Sequence, residues 1–210
     1  MSADRDALRA LLLERSVRFG EFVLASGARS TYYVDCRPST MSAAGQRLIG
    51  RMGLAAIRAA GWDPASVGGL TMGADPVAYA IAAASADMGV GSRKSEVGSE
   101  SPTSDVRPPT SGVIDAFSVR KAPKDHGTGR RIEGNFDPAK PVVVIEDVIT
   151  SGGSALDAVA AVREAGGTVL GVFAVLDREA GGRAKIEAAG LSVVTLVTAG
   201  ELGLVQGRPF

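Results

Sequence analysis

The stretch 141–177 constrains the fold of this chain more than any other. It reads PVVVIED, VITSGGS, ALDAVAAVREAG and, after Gly167, TVLGVFAVLD. The outer pieces are apolar runs of strand length, and the third repeats its apolar residues at helical spacing. A strand that is apolar at nearly every position, not at every second one, is buried on both faces. Two such strands joined by a helix form a parallel crossover unit, so the expected fold class is α/β, a central parallel sheet flanked by helices.

The rest of the chain repeats this pattern. VGGLTMG (67–73) reads as a strand, Gly73–Pro76 as a turn and VAYAIAAASA (77–86) as a helix. IDAFSVRK is expected to be a strand, GRAKIEAAG a helix and LSVVTLVT a last strand. Before them, residues 4–15 carry Ala7, Leu8, Leu11 and Leu12 on one helical face. Two short strands follow, EFVLASG and STYYVDCR, then a helix over 42–60 ended by Gly61. In such sheets ligands bind beyond the carboxyl ends of the strands.

Lys plus Arg equals Asp plus Glu at 23 each, which argues against nucleic-acid binding by bulk charge. Cys36 is the only cysteine, so no disulfide can form within the chain, and no catalytic dyad can be built around it. Asp4 and Asp6 in the first helix do not suit a signal peptide. No uncharged apolar run approaches the roughly 20 residues of a membrane span. The expectation is a cytoplasmic, single-domain protein with neither membrane nor nucleic acid as partner. Residues 89–112 are rich in Ser, Gly and Pro, and are expected to form a flexible, exposed insertion.

The chemistry concentrates in Val142–Ser154. A buried strand delivers Glu146 and Asp147 to its carboxyl end, and Val148, Ile149, Thr150, Ser151, Gly152, Gly153 and Ser154 lead into a helix. Backbone N–H groups at a glycine turn and a helix start form an anion site. Carboxylates beside a phosphate cradle would repel it unless they faced hydrogen-bond donors, and ribose hydroxyls are such donors. The run therefore asks for a ribose 5-phosphate. No Gly-Lys-Ser/Thr ending and no GxGxxG is present. An acidic strand end with a serine cap would explain any one of these residues, but not the whole run. A second cluster, RKAPKDHGTGRR, gathers Arg120, Lys121, Lys124, Arg130 and Arg131 around the only histidine, His126. A basic, glycine-containing loop after a strand suits a mobile lid over a polyphosphate.

The first run resembles the phosphoribosyl pyrophosphate signature of type I phosphoribosyltransferases. That resemblance implies the family fold, with a small hood subdomain to which 1–40 contribute. It also implies that Glu146 and Asp147 hold the ribose hydroxyls and that Thr150 to Ser154 hold the 5-phosphate. The string R-K-x-x-K-x-H-G resembles the flexible loop of orotate phosphoribosyltransferases, which implies a mobile catalytic loop over 120–131. Arg120, Lys121, Lys124 and His126 would then meet the pyrophosphate, with Lys124, His126 and Asp147 as catalytic residues. FVLASGARSTYYVD is similar to the family segment that holds orotate, implicating Ser26, Tyr33 and Val34 together with Thr150. Ala25 stands where many members have lysine. Arg178, in LDRE, matches the arginine that binds the orotate carboxylate. GLTMGADPVA resembles the pyrophosphate loop and places Gly73, Ala74 and Asp75 near the diphosphate. The resemblance further implies Mg²⁺ as cofactor, no metal site built from protein ligands, and a homodimer with shared active sites. Two alternatives stay open: a phosphoribosyltransferase for another base, and a regulator that keeps the site without catalysis.

Overall fold

The computed structural model describes residues 2–23, 29–91, 112–122 and 131–204. Along the chain these form α1 (Ser2–Arg15), β1 (Val17–Val23), β2 (Arg29–Val34), α2 (Arg37–Thr40), α3 (Ala43–Ala59), β3 (Ser66–Leu70) and α4 (Ala74–Gly91). There follow β4 (Asp115–Val119), β5 (Ile132–Gly134), β6 (Pro141–Ile149), α5 (Gly153–Glu164), β7 (Thr168–Asp177), α6 (Gly182–Ala188) and β8 (Val193–Thr198).

Six strands make one sheet in the order β5-β4-β3-β6-β7-β8. All neighbours in it are parallel except β5, which runs antiparallel to β4 at the edge. The apolar runs behave as the sequence demands. Val143 and Ile145 of β6 join a core with α3 and α4, whereas Val142 and Val144 join a second core with α5. Alternate side chains thus enter opposite layers, and both layers are apolar, so the strand reads as continuous.

Beside the sheet, β1 and β2 pair as an antiparallel hairpin. Near the chain ends, Arg5 and Arg9 of α1 reach Glu201 in the short turn Gly200–Leu202, joining the first helix to the segment after β8. Leu8 and Leu12 of α1 share one core cluster with Leu202 and Leu204.

Several expectations need correction. The strand expected at 67–73 ends at Leu70, and the helix expected from Val77 begins at Ala74. Pro76 therefore lies in the first helical turn, where its missing N–H has no partner to lose. The strand expected from Glu21 starts at Val17. β5 is too short and polar to announce itself by periodicity. Residues 92–111 of the insertion lie outside the described residues, as do 123–130 of the basic loop.

The start of α3 offers a test of local folding. Ser42 is its N-cap, and its hydroxyl accepts from Gly45 N–H at 3.0 Å. Loss of such a cap costs about 1 kcal/mol, so Ser42→Ala is expected to lower Tm by roughly 2–4 °C in a thermal melt. An unchanged Tm would show that this cap is dispensable.

Candidate active site

β6 is central in the sheet, between β3 and β7, and it carries the two acids towards its carboxyl end. It runs two residues further than the sequence suggested, so Glu146 and Asp147 lie within the strand and both are buried. Burial, followed by the neighbouring Asp147 charge, pushes the Glu146 carboxyl up to about 8. Asp147 is raised as well, again first by burial, although Val148 N–H donates to its Oδ1 at 2.8 Å. Two adjacent carboxyls out of water cannot comfortably both ionise without a positive or hydrogen-donating partner.

Beyond the acids, a cavity of about 250 Å³ is lined by Glu146, Asp147 and the loop through Ser154. Gly152 is left-handed there, with φ 74°, and a Cβ on it would meet the backbone oxygen of Gly182 at 2.8 Å. Glycine is thus required both for the turn and for the close approach to α6. α5 starts at Gly153 with no side-chain cap, so its first N–H groups remain available to an anion. The acids and the helix start share one small cavity. That supports a ligand carrying both hydroxyls and a phosphate.

The loop after β3 closes on the same place. A Cβ on Gly73 would lie 2.7 Å from Asp147 Oδ1, so backbone and carboxyl are in direct approach. Across the sheet, Arg178 follows β7, and its N–H donates to Ile149 O at 2.9 Å. Its side chain is only 8% exposed, and its guanidinium lies 5.1 Å from the centre of the Tyr32 ring. Arg178 Nε is buried without a hydrogen-bond partner. A buried charged donor left unsatisfied is costly, and a carboxylate is its natural complement.

Tyr32 escaped the sequence reading, which singled out Tyr33 and Val34. The alternation of β2 buries Tyr32 and Val34, and leaves Tyr33 41% exposed with its ring 5.7 Å from that of Phe22. The period-two pattern could have found Tyr32, since Val34 is the obvious core residue of that strand. On the basic loop, Arg120 N–H donates to Arg131 O at 2.8 Å, and its guanidinium pairs with Glu133 at 3.5 Å. Lys121 is exposed. Ser26, Lys124 and His126 lie outside the described residues, so the structure neither joins them to the site nor separates them from it.

A larger cavity of about 840 Å³ lies at the other end of the sheet, where Ser66, Asp115 and Pro141 begin β3, β4 and β6. That is the wrong pole for ligand binding in a parallel sheet. Cys36 is wholly buried, and burial pushes its thiol well up, which suits a packing role and not a nucleophile.

No family model matches the chain. It is 42% identical over 202 residues to the orotate phosphoribosyltransferase of Aquifex aeolicus, covering 95% of this chain and 97% of that protein. The crystal structure of Mycobacterium tuberculosis orotate phosphoribosyltransferase in complex with Fe(III) dicitrate is similar at 40% identity and a TM-score of 0.74, covering 96% of this chain and 99% of that one. The same enzyme in complex with 5-phospho-alpha-D-ribosyl 1-diphosphate matches at 34% identity and a TM-score of 0.68, over 96% of this chain and 92% of that one. The cavity at the end of β6 and the buried arginine thus sit in a chain related along nearly its whole length to these proteins, and the chain belongs to the orotate phosphoribosyltransferase family.

Proposed function

We infer that this chain is a pentosyltransferase that converts orotate and 5-phosphoribosyl 1-diphosphate to orotidine 5'-phosphate and diphosphate, in de novo formation of UMP. The observation that carries this reading is the buried Arg178, its Nε without a hydrogen-bond partner, beside the strand end that holds Glu146 and Asp147. One group asks for a carboxylate, the other for ribose hydroxyls, and orotidine 5'-phosphate offers both.

In this reading, Glu146 and Asp147 accept from the ribose hydroxyls, and the segment Val148–Ser154 takes the 5-phosphate on backbone N–H groups and the hydroxyls of Thr150, Ser151 and Ser154. Arg178 grips the orotate carboxylate through its planar fork, which favours an acidic pyrimidine over uracil. Tyr33 and Val34, with Ser26 and Thr150, belong to the orotate side by resemblance, and Tyr32 supports the guanidinium from below. Orotate nitrogen displaces diphosphate from the anomeric carbon, which gains positive charge while the leaving group gains negative charge. Catalysis then rests on positioning and fixed electrostatics. Lys124 and His126 stabilise or protonate the departing diphosphate, Arg120 and Lys121 help to hold it, and Asp147 steadies the positive ribose.

The buried acid pair also fits Mg²⁺, because two desolvated carboxyls, each raised first by burial, gain from a nearby cation. Mg²⁺ takes few protein ligands beside phosphate oxygens, and when bound it would neutralise diphosphate charge. We read 1–210 as one domain, with 1–40 in the hood, an insertion over 89–112 whose first three residues close α4, and 120–131 as the catalytic loop. A homodimer with shared sites and a cytoplasmic location complete the proposal. Among the described residues no helix is long and apolar enough to cross a membrane.

The test is orotate consumption followed by ultraviolet absorbance, with phosphoribosyl pyrophosphate and Mg²⁺. Turnover with orotate and none with adenine or uracil is expected, and excess EDTA should cut the rate at least about tenfold, as loss of several kcal/mol of charge stabilisation would. Activity with a purine in place of orotate would overturn the substrate, and inactivity with every base would favour the regulator.

A further inference from the structure

The carboxylate of Asp75 stands near the loop assigned to diphosphate, where a negative charge would ordinarily be unwelcome. Its position in the first turn of α4 makes it compatible with the helix but hostile to an anion. Its hydrogen bonds suggest another task. Thr71 Oγ1 donates to Asp75 Oδ2 at 2.6 Å, and Ser118 Oγ donates to Oδ1 at 2.7 Å. Thr71 belongs to the turn after β3, whereas Ser118 belongs to β4. The Tyr79 hydroxyl lies 3.2 Å from Ser118 Oγ, and can donate to it because the serine proton is already engaged. A fourth bond closes the frame: Thr71 N–H donates to Val119 O at 2.8 Å.

We propose that Asp75 is a positioning residue for diphosphate recognition, fastening the Thr71–Gly73 turn to the end of β4. Two segments depend on this joint. Gly73, two residues after Thr71, makes the close approach to Asp147, and Arg120, two residues after Ser118, opens the basic loop. One carboxylate with both oxygens engaged by hydroxyls from different elements sets the spacing between them. An acceptor with two anionic oxygens does this best, since an amide offers one oxygen and presents a donor in place of the other. The carboxylate does not confront the diphosphate as a bare charge, because both oxygens are already turned to hydroxyl donors.

This inference rests on the orotate phosphoribosyltransferase reading, but its test separates the two. Asp75→Ala, Asp75→Asn, Ser118→Ala and the Asp75→Ala/Ser118→Ala double variant would be compared by steady-state kinetics and by calorimetric binding of Mg²⁺-pyrophosphate. Loss of charge-assisted hydrogen bonds predicts that Asp75→Ala raises the KM for phosphoribosyl pyrophosphate and weakens pyrophosphate binding about tenfold. The KM for orotate should stay within about twofold and kcat within about threefold, because neither hydroxyl touches the base side. Asp75→Asn should recover part of the loss. The double variant should be no worse than Asp75→Ala alone, since both substitutions break one joint. Unchanged pyrophosphate affinity in Asp75→Ala would overturn the proposal. An equal loss for both substrates together with a lowered Tm would also overturn it, by showing a general structural role. If wild type fails to use orotate, the functional reading falls, and the pyrophosphate titrations still decide the role of Asp75.

Discussion

Arg178→Ala is expected to lower kcat/KM for orotate by about a thousandfold, since truncating one partner of a buried hydrogen-bonded charge pair costs roughly 2–5 kcal/mol. The effect should fall on orotate alone. Steady-state kinetics with each substrate varied in turn would show the KM for phosphoribosyl pyrophosphate nearly unchanged, because the cavity proposed for ribose phosphate is lined by β6, α5 and the loop between them. Arg178→Lys should restore only part of the loss, as an ammonium cannot reproduce the planar fork or its stacking over Tyr32. Folding should suffer little. Removing Arg178 also removes the desolvation cost of a buried Nε that has no partner in the unliganded chain. A kcat/KM for orotate within threefold of wild type would sink the carboxylate role.

Arg178 also shows what the sequence could and could not tell. Its place at a strand end was legible, because TVLGVFAVLD must be a buried strand and the residue after it must emerge at the carboxyl edge. Its burial over Tyr32 was not, because that contact joins β2 to the end of β7, some 145 positions apart in the chain. The sheet core was equally legible: the unbroken apolar run Val142–Ile145 of β6 requires two covered faces, and the structure supplies both. The antiparallel edge strand β5 was invisible, since three residues held by pairing with β4 carry no period of their own. Similarly, Pro76 and Gly73 looked like a turn, whereas only Thr71–Gly73 turns and Pro76 already lies inside α4. Proline punctuates a helix start as readily as a loop. The joint at Asp75 shows the same limit, because its partners come from two separate elements.

Glu146→Gln should move stability and activity in opposite directions. In the folded chain the Glu146 carboxyl is raised from 4.5 to about 8, first by burial and then by Asp147. Between those values the unfolded chain binds fewer protons than the folded one, so wild-type stability falls as pH rises through that window. Glutamine has no proton to lose and escapes the penalty. Thermal melts should therefore place Glu146→Gln close to wild type at pH 5 and above it by on the order of 5 °C at pH 8, allowing a few degrees per kcal/mol for a chain of this size. Activity should go the other way. A carboxylate accepting from ribose hydroxyls forms charge-assisted bonds worth roughly 1.5–3 kcal/mol, so kcat/KM for phosphoribosyl pyrophosphate should drop about tenfold to a hundredfold. The KM for orotate should hardly change. A variant less stable than wild type at pH 8 would show that the pair is already compensated in the unliganded chain. If the variant were more stable yet fully active, the acids would be a buried liability with no part in holding ribose. The expected outcome, greater stability with weaker ribose binding, means that the conflict between Glu146 and Asp147 is maintained because the substrate resolves it.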